Sequence, residues 1–69
     1  SFTIDGATFE AEEGMTWAQF INSGYNNGAF STDSVMGLVR YNSLYVKDQY
    51  EQFVRNSEQI VANATYTTS

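Results

Sequence analysis

The carboxylates are the first residues to weigh for chemistry. Glu10, Glu12 and Glu13 form the densest acidic group in the chain. Two carboxylates can divide acid and base roles in glycoside cleavage when a sugar ring sits between them. On a strand, Glu10 and Glu12 share one face and Glu13 takes the other, and no second carboxylate is placed across a recognisable cleft. The trio reads as a solvated acidic edge that discourages strand-edge pairing. Asn22, Asn26, Asn27 and Asp33 carry side-chain oxygens that suit calcium, but the EF-hand spacing is absent and calcium loops hold more acids. No metal and no cofactor is expected.

The chain contains no histidine and no cysteine. The commonest general base and the commonest transition-metal ligand are therefore missing, as are disulfides and thiolate zinc sites. Serines and threonines are plentiful, yet no histidine can activate one, and no nucleophile elbow or phosphate-cradling glycine motif occurs. Enzymatic activity is not expected. Asn63-Ala64-Thr65 fits a glycosylation acceptor, which matters only in a eukaryotic secretory setting.

Tyrosines offer a different chemistry. The chain has five phenylalanines, five tyrosines and one tryptophan in 69 residues. Tyr25, Tyr41, Tyr45 and Tyr50 exceed what the core of so small a domain accommodates. Exposed tyrosines give large contact area at little entropic cost, so these four are the candidate interface. They could equally stack on sugars.

Charge narrows the partners. The formal net charge is -5. Residues 1–34 hold Asp5, Glu10, Glu12, Glu13 and Asp33 and no Lys or Arg, whereas Arg40, Lys47 and Arg55 balance Asp48, Glu51 and Glu58 in the second half. That distribution argues against phosphate backbones and anionic lipid surfaces. No apolar run approaches the roughly 20 residues of a membrane helix, and no stretch reads as a signal peptide. Neither nucleic acid nor membrane is an expected partner.

The elements that must position these residues follow from periodicity. Phe2 and Ile4 alternate with Thr3 and Asp5, Asp5-Gly6 is a strong turn dipeptide, and Phe9 and Ala11 share a face of the return strand. Thr16-Trp17-Ala18-Gln19 fits a capping box, with Met15 as a hydrophobic staple. Trp17, Phe20 and Ile21 then fall on one face of a short helix that Gly24 closes. Residues 25–37 read as an ordered loop in which Ala29-Phe30-Ser31 makes a brief edge strand. Leu38–Val46 reads as a second hairpin with Asn42-Ser43 as its turn. Residues 48–64 fit either one helix, capped by Asp48 with Glu51, or a broken run of strand and turn pieces with Ser57 starting a short turn. The broken reading is favoured. Ala64-Thr65-Tyr66-Thr67-Thr68, rich in β-formers, reads as a terminal strand.

This order implies a single α+β domain over residues 1–69, with one short helix on a mixed or antiparallel sheet of hairpins, in a β-grasp-like arrangement. The expected core is Phe2, Ile4, Phe9, Trp17, Phe20, Ile21, Val39, Val46, Phe53, Ile60 and Tyr66.

The segment Phe2-Thr3-Ile4-Asp5-Gly6, followed by Glu12-Glu13-Gly14-Met15-Thr16-Trp17 and then Ser23-Gly24-Tyr25-Asn26, resembles small uncharacterised proteins and terminal modules of tailed bacteriophages and prophages. Val54-Arg55-Asn56-Ser57-Glu58-Gln59-Ile60 and Tyr66 match their tails more loosely. The resemblance covers about the first 26 residues well and the last 17 loosely. It implies a viral setting, as a virion component, and carries over no catalytic residues; the expected location is the virion or the host bacterial cytoplasm. The function expected is a non-enzymatic structural or interaction module of a phage particle, such as a decoration, fibre-attached or tail-associated protein. Its partner would be a larger viral structural protein or copies of itself. A small acidic inhibitor that mimics nucleic acid and a carbohydrate-binding module are the alternatives.

Overall fold

Two residues decide the first turn. Asp5 and Gly6 both adopt positive φ, 50° and 86°, which a two-residue hairpin requires for its twist to match the strands. They join β1 (Phe2–Ile4) to β2 (Ala7–Phe9). The computed structural model describes residues 1–24 and 28–69. After β2 come α1 (Trp17–Asn22), β3 (Phe30–Thr32), β4 (Val39–Tyr41), β5 (Leu44–Lys47) and β6 (Thr65–Thr68). All six strands form one sheet in the order β2-β1-β6-β5-β4-β3. Among the described residues only the β1–β6 pairing is parallel, and it sets β1 beside β6. The expected mixed sheet with one helix is present.

The helix is short, so its free amides need outside partners. Thr16 Oγ1 accepts the Gln19 N–H at 3.2 Å, and Thr16 N–H donates to Gln19 Oε1 at 3.0 Å, completing the expected capping box. The two N–H groups between them reach across the fold. Trp17 donates to the Glu58 carbonyl at 3.0 Å and Ala18 to the Asn56 carbonyl at 2.9 Å. Ile60 N–H donates to the Met15 carbonyl at 2.8 Å, which ties the helix start to the late segment. Gly24, at φ 75°, follows the C-cap Ser23 and donates to the Ile21 carbonyl.

The core is aromatic. Trp17 rests edge-on against Phe2 (5.5 Å), Phe20 (6.0 Å) and Tyr66 (5.2 Å) between ring centroids. Phe20 meets Phe30 edge-on at 5.1 Å. Phe9, on one edge strand, lies 5.5 Å from Phe30 on the other and 5.8 Å from Tyr41. Rings from the two ends of the strand order therefore meet, so the sheet curls around the helix. Each such pair adds roughly 0.5–1.5 kcal/mol beyond the area it buries.

The second hairpin turns at Asn42 and Ser43, both at positive φ, as expected. Its open end is forked. Beyond the Arg40–Tyr45 pair, β4 and β5 no longer bond to each other. Residues 53–55 fill the gap: Val39 N–H donates to the Val54 carbonyl at 3.1 Å, and Val54 N–H donates to the Val46 carbonyl at 3.0 Å. Phe53 bridges Lys47 and Arg55 bridges Leu38, both antiparallel. This wedge is why residues 48–64 form no helix. Asp48 Oδ1 accepts the N–H groups of Tyr50 (2.8 Å) and Gln52 (3.0 Å), so it caps a tight reversal instead of a helix start. The broken reading of this segment is the correct one.

The wedge also corrects the expected core. Side chains alternate along it, and Val54 points inward, 1% exposed, while Phe53 faces out at 41%. Phe53 is therefore not a core residue. Ile21 is only partly buried against the core. Phe2, Ile4, Phe9, Trp17, Phe20, Val39, Val46, Ile60 and Tyr66 are buried as expected, and Phe30, Leu38 and Val54 join them.

Replacing Val54 with Ala should cost about 2 kcal/mol in urea unfolding, through lost burial and a residual cavity, whereas Phe53→Ala should cost under about 1 kcal/mol. The reverse ranking would mean that the wedge sits in the opposite register.

Candidate interaction face

Period-two alternation sends the odd-numbered wedge residues and their partners to the outer face of the sheet. Arg40 and Tyr45 are paired across β4 and β5, and the Arg40 guanidinium lies 5.8 Å from the Tyr45 ring centroid. Lys47 Nζ lies 5.3 Å from the centroid of Phe53, its bridge partner. Tyr45 and Phe53 meet edge-on at 5.7 Å. Arg55 bridges Leu38 on the same face. Leu38 is buried, yet it stands apart from the main core cluster. The fork sets Arg40 against the Tyr45 ring and Lys47 against the Phe53 ring, while the Arg55 guanidinium donates to the Met36 carbonyl at 3.0 Å.

The face is braced from the β3–β4 turn. Asp33 Oδ1 accepts the N–H groups of Val35 (2.9 Å) and Met36 (3.1 Å), and Tyr45 Oη donates to Asp33 Oδ2 at 2.8 Å. The hydrogen bond from Tyr45 is the largest reason the Asp33 carboxyl sits below its ordinary pKa, with the turn amides adding to it. The same bond holds the Tyr45 phenol above its ordinary value, because ionisation would break it and set two negative charges together.

The four candidate tyrosines divide. Tyr25 lies outside the described residues. Tyr41 points inward, half-buried, with its ring 4.7 Å from that of Phe30, so its area is spent on the core. Tyr45 belongs to the outer face. Tyr50 is 74% exposed on the Asp48 reversal, beside a different feature. That feature is a cleft of about 90 Å³ lined by Asp48, Tyr50, Val54, Glu58, Val61 and Tyr66, among others. Tyr66 Oη accepts the Val61 N–H at 3.2 Å on its floor. Burial raises the Tyr66 pKa most, and Asp48 and Glu58 add to it.

Glu10, Glu12 and Glu13 are exposed. Glu10 Oε2 lies 3.8 Å from the terminal amine of Ser1. Of the oxygen-bearing residues weighed for calcium, Asn26 and Asn27 lie outside the described residues, and Asp33 is committed to its turn. Among the described residues no three acidic, histidine or cysteine side chains cluster as a metal site.

Arg40, Lys47, Phe53 and Asp33 were not legible as a site from sequence. The basic residues are seven and eight positions apart, and only the fork brings them together. Asp33 carried a signal in Ser31-Thr32-Asp33-Ser34, since Asp favours turns that bond its own downstream amides.

Arginine and lysine held over rings present cations on a flat, partly apolar platform, which suits a carboxylate-bearing surface. Because its folded pKa is depressed, Asp33 stabilises the turn above the ordinary carboxylate range, and that contribution is lost as pH falls through the folded value. The Tyr45 phenol is the converse case, its contribution being lost as pH rises through its elevated value. Acid titration followed by NMR should show the Val35 and Met36 amides shifting with Asp33. Tyr45→Phe should move the Asp33 midpoint upward toward the ordinary value; an unchanged midpoint would show that this hydrogen bond does not set it. No family model, curated protein or solved structure matches the chain.

Proposed function

We propose that this domain is a non-enzymatic interaction module of a bacteriophage particle, acting through protein–protein contacts in the virion or, before assembly, in the host cytoplasm. The observation that carries the reading is the outer face of the fork, where Tyr45 and Phe53 meet edge-on, with Arg40 over the first ring and Lys47 over the second. Aromatic residues and arginine are enriched in interfaces, and rim lysines steer encounter with acidic partners. The viral setting rests on the resemblance of the N-terminal hairpin and helix start to phage proteins.

The partner that suits this face is a larger viral structural protein with an acidic, partly apolar surface. The chain's own net charge of -5 keeps free copies apart, and the cationic face is the place where that repulsion reverses. A β-grasp-like arrangement belongs to the same proposal. What supports it is the initial hairpin, the helix that crosses from it, and the last strand running parallel beside β1.

The test is particle association. A tagged copy made in an induced lysogen should sediment with capsid or tail fractions. Lys47→Glu combined with Phe53→Ser should leave the tagged protein in the soluble fraction, with an unchanged circular dichroism spectrum. A wild-type chain absent from every particle fraction would sink the reading.

A further inference from the structure

The cleft over Tyr66 shares no lining residue with the cationic face. Its floor offers a hydrogen-bond donor. Tyr66 is 3% exposed, and its Oη accepts the N–H of Val61, a wall residue, so the phenol end reaches the cleft. The phenol's own proton finds no acceptor among the described residues. Burial first, and the charges of Asp48 and Glu58 after it, push the Tyr66 pKa up, so the phenol keeps that proton. A buried hydroxyl proton left without an acceptor costs free energy, and a ligand that accepts it recovers that cost.

The rim offers acceptors. Asp48 Oδ1 is used by the Tyr50 and Gln52 amides, and Glu58 Oε1 by the Arg55 N–H at 3.3 Å. Each carboxylate has a second oxygen that takes no hydrogen bond among the described residues. The carboxamides of Gln49 and Gln59 also line the cleft, and each can both donate and accept. The Asp48 reversal sets the Tyr50 ring at the edge of the cleft, 74% exposed and open to stacking.

Floor, rim and ring together select one class of ligand. No lysine or arginine lines the cleft, so phosphates and other anions meet two carboxylates and no countercharge. An ammonium or guanidinium suits the carboxylates but has no lone pair for the Tyr66 proton. A hydroxyl both accepts and donates, and a ring bearing several hydroxyls has a C–H side for the tyrosine. The volume agrees. About 90 Å³ is the space of roughly three waters and far below the roughly 300 Å³ at which drug-sized sites begin. It admits one edge of such a ring, with the rest lying over Tyr50.

We propose that this cleft holds the edge of an uncharged sugar ring. One hydroxyl accepts from Tyr66 Oη, its neighbours donate to Asp48 and Glu58, and the C–H side of the ring stacks on Tyr50. The cationic face stays free, so the two sites work independently.

The experiment is an amide NMR titration of the intact chain with glucose, galactose, mannose and N-acetylglucosamine, and with arginine methyl ester as the cationic comparison. At least one sugar should shift the Tyr50, Val61 and Tyr66 amides saturably at millimolar concentration and leave those of Arg40 and Lys47 in place. Tyr50→Ala should weaken binding about tenfold, as loss of a stacking ring does, and Tyr66→Phe about fivefold, as loss of one hydrogen bond does. Tyr50 is exposed, so Tyr50→Ala should match wild type in urea unfolding, which keeps the test independent of any folding defect at Tyr66. Phe53→Ser should bind sugar like wild type, which separates the cleft from the cationic face. No saturable shift with any of the four sugars overturns the inference, as does a cleft that takes arginine methyl ester in preference to them, or a Tyr50→Ala chain that binds normally.

Discussion

Trp17 is the contact on which the rest of the fold depends. Its ring touches Phe2 on β1, Tyr66 on β6, Phe30 on β3 and Phe20 on its own helix. The ring therefore joins strands from both halves of the sheet to the helix. A domain of this size buries only about 60% of its unfolded surface, and with no cysteine it has no covalent staple. Large rings meeting edge to face are how it reaches adequate density. The choice has a cost: Trp17 Nε1 is buried without a hydrogen-bond partner among the described residues, a loss of roughly 1–3 kcal/mol that the buried area of the ring must outweigh.

The wedge is the second constraint, and the outer face follows from it. A regular β4–β5 hairpin would have continued its ladder from Arg40–Tyr45 toward Val39 and Val46. Val54 takes the hydrogen bonds of both strands instead. One side chain of the wedge completes the core, and its two neighbours must then point outward. Phe53 and Arg55 are exposed because Val54 is buried. The outer face is thus a geometric consequence of how the core is closed.

The chain ends close on each other. Thr3 and Asp5 donate to the carbonyls of Ala64 and Tyr66, and the Asp5 carboxylate receives both the N–H and the hydroxyl of Thr68. The positive-φ turn at Asp5-Gly6 is consequently held by the far terminus as well as by its own residues. Closure of this parallel pair joins contacts distant in sequence, the slow kind to form.

Local signals were legible wherever a residue type answers a local need. Asp5-Gly6 demanded a tight turn, Thr16 with Gln19 wrote both halves of a helix cap, and Phe2, Ile4 and Tyr66 marked their strands by alternation. These are short-range effects of φ preference, hydrogen-bonding side chains and period-two patterning, and the sequence by itself determined them. The 48–64 segment was not of that kind. Its apolar spacing tolerated helix and strand alike, and the open fork between β4 and β5, a feature built from residues far away in sequence, decided between them. Phe53 and Val54 are adjacent and both apolar, so nothing local says which one turns inward; the register of the wedge does. Tyr41 and Tyr45 look equivalent in sequence, yet one strand position apart in pairing sends the first to Phe30 in the core and the second to Asp33 on the surface. Pairing partners are chosen by long-range geometry, and that is why the tertiary structure alone placed Arg40 and Lys47 against two rings.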